Sequence, residues 1–175
     1  MKTSVALIGF MATGKTAVGQ LLAQRLGKQF IELDALIVQK AGKKIADIFE
    51  QDGELTFREL EIEVTREVSG NKNQVIACGG GIILNRLNID RLKKESVIVY
   101  LTASPDVILK RASSDSTVRP LLEGDNKAKT IRELLRFRRP FYDRAADIKI
   151  DTTGLDIPAT AEQIIARLKE YENFH

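Results

Sequence analysis

Short apolar runs alternate along this chain with stretches whose apolar residues recur every three to four positions. Ser4–Ile8 is almost wholly apolar and short, the pattern of a buried strand. Over about 15–26, Val18, Leu21, Leu22 and Leu26 share one face of a helix, and Gly27 suits its C-terminal stop. Phe30–Leu33 predicts a second strand ending at Asp34, followed by helical patterns over about 34–41, 45–51 and 53–69. Gln74–Cys78, Val97–Leu101 and Ile148–Ile150 predict three further strands. A last helix begins near Pro158, whose fixed φ suits a first turn, and buries Ile164, Ile165 and Leu168.

Strands separated by helices call for parallel crossovers rather than hairpins. The pattern therefore predicts one α/β domain over 1–175, a three-layer α/β/α arrangement around roughly five parallel strands. The helical insertion between the second and third strands, about 34–62, reads as a cap over an acceptor substrate. Residues 113–127 lack a period and are rich in Ser, Asp and Gly, which predicts a mobile lid.

Composition narrows the chemistry. A chain of 175 residues buries a core without disulfides, and the single Cys78 excludes an intramolecular one. Cys78 reads as a small buried residue, and the lone His175 offers no histidine site. The net charge of +3 suits a cleft that collects phosphates and carboxylates. The arginines cluster in 132–144 rather than forming a basic tail, so no nucleic-acid partner is expected. No apolar stretch reaches membrane-spanning length and no signal-peptide pattern opens the chain, which predicts a cytoplasmic protein with no membrane partner.

The sharpest motif is Gly9-Phe10-Met11-Ala12-Thr13-Gly14-Lys15-Thr16, a full G-x-x-x-x-G-K-T. Glycines allow a tight loop whose backbone N–H groups turn inward around phosphate oxygens, and the helix that follows aims its positive end at the same anion. Lys15 adds a full charge toward the β- and γ-phosphates, and the Thr16 hydroxyl suits Mg²⁺. The motif follows a strand and opens a helix, the context its chemistry needs. Asn71-Lys72-Asn73-Gln74 lacks the aspartate of a guanine-reading signature, which favours a small-molecule kinase over a GTPase.

Other polar signals lie where a phosphate acceptor belongs. Asp34 emerges at the carboxyl end of its strand, where open α/β sheets bind ligands. It suits a base or orienter for an acceptor hydroxyl, and equally an N-cap of the next helix. Arg58 offers a planar fork for a carboxylate, or a surface ion pair with Glu61 at i,i+3. Gly79-Gly80-Gly81 permits close approach of a ligand to backbone, or is a flexible turn. Arg119, in Thr117-Val118-Arg119-Pro120-Leu121-Leu122, suits closure on a transferring phosphoryl group. Arg138 or Arg139, in a basic helix end, suits a second arm on an anionic substrate.

Together these segments resemble the shikimate kinase family across nearly the whole chain. Gly9 through Val18, Phe30–Asp34, Ile45–Phe49, Gly53-Glu54, Phe57-Arg58, the triple glycine, Thr117–Leu122 and Arg138–Tyr142 follow its order and spacing. The resemblance implies the nucleoside-monophosphate-kinase type of fold, and transfer of the γ-phosphoryl group of ATP to the 3-hydroxyl of shikimate, on the route to chorismate. It places Asp34 on the ring hydroxyls, Arg58 and Arg138 on the carboxylate, and Gly79, Gly80 and Gly81 at the acceptor. Ala12, Thr13, Gly14, Lys15, Thr16, Ala17, Arg111, Arg119 and Pro158 fall on the ATP side, with Lys15 and Arg119 meeting the phosphoryl charge. Thr16 and, through water, Glu32 fall at Mg²⁺. A monomer binding only small molecules is expected. Glu32 stands where the family often has Asp, and Ala12 where it often has Gly. The residues alone leave two other readings open: a different P-loop metabolic kinase acting on gluconate or a nucleotide, and a noncatalytic nucleotide-binding module.

Overall fold

Strand β1 (Ser4–Ile8) is buried at every position. Its apolar run is continuous because helices cover both of its faces, so no residue needs to face water. The computed structural model describes residues 1–115, 122, 124–172 and 174–175. In it β1 is the central strand of one five-stranded sheet, with β2 (Gln29–Glu32), β3 (Gln74–Ala77), β4 (Ser96–Thr102) and β5 (Ile148–Asp151). The order is β2-β3-β1-β4-β5, and every pairing is parallel. The three-layer α/β/α fold expected from the pattern is the one observed.

Period-2 alternation along β1 divides the core into two layers. Val5 and Leu7 pack with Val18 and Leu22 of α1 (Lys15–Leu26) and with Ile164 and Leu168 of α8 (Ile157–Lys169). Ala6 and Ile8 face the other way, onto the remaining helices. Each fully buried Leu, Ile or Val stabilises the fold by roughly 1.5–3 kcal/mol against exposure, before chain entropy is set against it. Helix α1 ends at Gly27, whose φ of 63° is left-handed, and Leu21 and Leu26 of its predicted face are only partly buried. Ile165 of α8 is likewise partly buried rather than core.

Between the adjacent strands β2 and β3 the chain inserts α2 (Leu33–Ala41), α3 (Ile45–Gln51) and α4 (Gly53–Val68). Leu33, predicted as the last strand residue, instead begins α2. One turn apart on that helix, Leu33 and Ile37 are both fully buried, and this inward pair sets the boundary. Helices α5 (Arg86–Glu95), α6 (Pro105–Ser114) and α7 (Lys127–Ala145) fill the two remaining crossovers. Part of the predicted lid over 113–127, Arg119 included, lies outside the described residues. At its near end α6 runs to Ser114.

Candidate active site

The phosphate loop leaves the carboxyl end of β1 and turns into α1. A side chain at Gly9 would collide with the Leu101 carbonyl and come within 2.9 Å of the Thr13 hydroxyl, so the first motif glycine is a close-approach position. Ala12 takes φ 60° and Gly14 φ 91°. Ala12 thus holds the left-handed geometry that glycine adopts freely, a strain of roughly 1–2 kcal/mol for a residue with a Cβ. Gly14 caps α1 without any side-chain bond, which leaves the first N–H groups of the helix to other acceptors. The Thr13 hydroxyl donates to the Phe10 carbonyl at 2.8 Å and firms the loop. Lys15 folds over it, its ammonium donating to the Gly9 and Phe10 carbonyls at 2.8 Å each, which centres the charge on the loop.

Beside the loop the Thr16 hydroxyl donates to Glu32 at 2.7 Å. Glu32 is the residue that precedes α2, so the β2 terminus delivers its carboxylate to the start of α1. Asp34 follows within the first turn of α2 and makes no capping bond. The N-cap alternative for Asp34 is therefore not realised: the helix begins one residue earlier, and its Oδ1 is buried without a hydrogen-bond partner. Burial pushes the Asp34 carboxyl up, Lys15 opposes this, Glu32 adds to it, and Arg58 again opposes.

Arg58 on α4 pairs with Glu61 at 3.1 Å and Glu54 at 3.2 Å. The i,i+3 pair expected on a surface exists, but it faces inward: the Glu61 side chain is only 2% exposed. Burial raises the Glu61 carboxyl, with Arg58 drawing it down, the Asp34 charge lifting it and Arg138 lowering it. The glycine turn that follows β3 is the meeting point. A Cβ at Gly79 would lie 3.0 Å from Glu61 Oε2 and 3.1 Å from Asp34 Oδ1, and one at Gly81 would lie 2.7 Å from Arg58 Cζ. The triple glycine makes room for two carboxylates and a guanidinium rather than acting as a slack turn. Arg138 of α7 is buried with its Nε unpartnered, whereas Arg139 is exposed.

A cavity of about 840 Å³ joins these groups. Its walls include Lys15, Thr16, Ala17 and Glu32 on the loop side, and Asp34, Arg58, Glu61, Gly79, Gly80, Gly81 and Arg138 on the other. Phe49 and Phe57, with ring centroids 4.8 Å apart, supply apolar wall. A second cavity of about 540 Å³ lies across the loop, lined by Ala12, Thr13, Gly14, Arg111, Thr152 and Pro158 among others. Arg111 is fixed there by Thr152, donating to its hydroxyl at 3.1 Å and its carbonyl at 3.0 Å. Sequence reasoning missed Thr152, and it took Glu61 only as a surface partner. No linear motif marks either residue. Cys78 is buried, as expected, and burial pushes its thiol well above the ordinary range.

A phosphate loop between two cavities, one of them walled by two arginines and two carboxylates that each keep a buried, unpartnered atom, defines a P-loop kinase of a small, charged acceptor. A family model described as shikimate kinase matches residues 11–169. The shikimate kinase of Thermodesulfovibrio yellowstonii is 46% identical over 97% of this chain and 95% of its own. That of Pelotomaculum thermopropionicum is 43% identical over 96% of each. A shikimate kinase from Acinetobacter baumannii, solved in complex with shikimate, superposes with a TM-score of 0.93 at 35% identity, covering 99% of this chain and 96% of that one.

The chain belongs to the shikimate kinase family. It is an ATP-dependent phosphotransferase, and its reaction is phosphorylation of shikimate. A gluconokinase from Sinorhizobium meliloti, 16% identical with a TM-score of 0.59, shares the fold alone. Among the described residues no helix is long and apolar enough to cross a membrane.

Proposed function

We propose that the larger cavity binds shikimate and that the phosphate loop presents the ATP γ-phosphoryl group to its 3-hydroxyl. The observation that supports this reading is the convergence of Asp34, Arg58 and Arg138 with Lys15 in one cavity wall. Arg58 and Arg138 take the ring carboxylate, with Glu61 holding Arg58 in place from its buried side. Asp34 faces the ring hydroxyls. Its unpartnered Oδ1 accepts the hydrogen bond of the attacking hydroxyl, and its raised proton affinity suits it to take the proton as the new P–O bond forms. Lys15 offsets the charge that the bridging oxygen gains as the β,γ bond breaks. Arg119, placed by family resemblance alone, would meet the same charge from the lid over 113–127.

The adenine side is the second cavity, with Arg111 and Pro158 on its walls. The acceptor-binding insertion is the helical stretch about 34–62. Thr16 and Glu32 fit Mg²⁺: a hydroxyl and a carboxylate oxygen 2.7 Å apart are hard donors at the edge of the loop. Among the described residues no cluster of three or more His, Cys, Asp or Glu suits a metal, so phosphate oxygens and water would complete the shell. When bound, the ion would supply positive charge to offset that of the phosphates.

The test is ADP release from Mg·ATP with and without shikimate, with the product weighed by mass spectrometry. Shikimate-dependent ADP and shikimate 3-phosphate are expected. Phosphorylation of gluconate or a nucleotide in place of shikimate would overturn the reading.

A further inference from the structure

The glycine turn and Arg138 reach the acceptor cavity from different parts of the chain, so something must fix their spacing. We propose that Tyr142 is a positioning residue for the acceptor site, its hydroxyl tying the glycine turn to α7 at the level of Arg138. Tyr142 lies one helical turn after Arg138 and is fully buried. Its hydroxyl donates to the Gly80 carbonyl. Its ring stacks on Tyr100 of β4, with centroids 4.8 Å apart and planes 20° from parallel, so the phenol has a sheet-anchored seat.

Gly80 is the point where this bond matters. A Cβ there would lie 3.5 Å from the Met11 amide nitrogen, 3.6 Å from the Gly9 carbonyl and 3.6 Å from Arg138 Nη1. The turn is thus held between the phosphate loop and the guanidinium, and Tyr142 sets how deeply it sits. Burial pushes the phenol well above its ordinary range, which keeps it protonated and donating near neutral pH. A hydroxyl in this place serves the acceptor and leaves the nucleotide cavity untouched, because neither Tyr142 nor Gly80 lines the latter.

The inference rests on the assignment of the larger cavity to shikimate, and the experiment separates the two. Wild-type chain and Tyr142→Phe are compared by steady-state kinetics and thermal melting. The variant keeps the stacked ring and loses only the hydroxyl. A rise of about five- to tenfold in the shikimate KM is expected, the worth of one hydrogen bond, with the ATP KM and Tm nearly unchanged. In an Arg138→Gln background the same change should cost clearly less, because the two groups act together. An unaltered shikimate KM overturns the proposal while a wild-type chain that makes shikimate 3-phosphate keeps the cavity assignment. Equal rises in both KM values with a lowered Tm also overturn it, since that is the signature of packing alone. A wild-type chain inactive on shikimate removes the cavity assignment and this inference with it.

Discussion

The two halves of the site are built on opposite plans. The phosphate loop draws eight consecutive residues, 9–16, into one backbone cradle, and Lys15 is held by carbonyls of that same loop. The acceptor half gathers Asp34 from α2, Arg58 and Glu61 from α4, the glycine turn after β3 and Arg138 from α7. Its groups are side chains, several buried, and Asp34, Arg58, Glu61 and Arg138 each keep an atom without a partner. A cradle of backbone recognises a phosphate anywhere it occurs, whereas unpartnered buried side chains recognise one arrangement of carboxylate and hydroxyls. On the proposed assignment, reaction type resides in the first half and substrate choice in the second.

Substitutions should respect that division. Lys15→Ala is expected to lower turnover about 10³-fold with the fold intact by circular dichroism, and near-normal turnover would break the comparison at its strongest point. Asp34→Asn should lower kcat about 10²-fold while calorimetric ATP affinity stays unchanged. Full activity in that variant would leave Asp34 with no part in transfer. Arg58→Ala removes one arm of the proposed carboxylate grip and strands Glu61 in a buried position. A rise of about thirtyfold in the shikimate KM is expected, from roughly 2 kcal/mol, with little effect on the ATP KM. Thr152→Val, across the loop, should show the mirror image: an ATP KM raised about three- to fivefold and a shikimate KM left alone. Matching shifts in both constants would blur the two halves into one.

The smallest effect is on stability. Burial raises the Glu61 carboxyl above its ordinary value of 4.5, so the folded chain retains a proton that the unfolded chain has released. Ionisation of Glu61 thus costs stability as pH rises from that value through the raised one. Glu61→Gln abolishes this slope, and the Tm of the wild type relative to the variant should decline as pH rises above 4.5. A constant difference would show that Arg58 fully compensates the burial of Glu61.

The same contrast decides what could be read without coordinates. β1, α1 and the loop between them were legible because the apolar run, the helical face and the glycines are contiguous. Asp34 and Arg58 each had an equal or better local explanation, and only their place in a longer order of motifs favoured the acceptor. The cap reading of Asp34 failed because Leu33, needed in the core, pulls the helix start back by one residue. Tyr142 and Thr152 were illegible because each acts on a residue that is near in space through an undistinguished side chain. A tyrosine four residues after an arginine marks one helix face, but nothing in the string says that Gly80 lies opposite.

Strand order carries a kinetic consequence. With β1 in the middle, β2 and β3 lie on the flank of the larger cavity and β4 and β5 on that of the smaller. The two cavities lie on opposite flanks of that strand and share Ala12 and Gly14 of its loop. If each substrate takes the cavity on its own side, neither site lies behind the other, and either molecule should be free to dock first. Initial-rate plots against both substrates should then intersect, as for a ternary complex filled in random order.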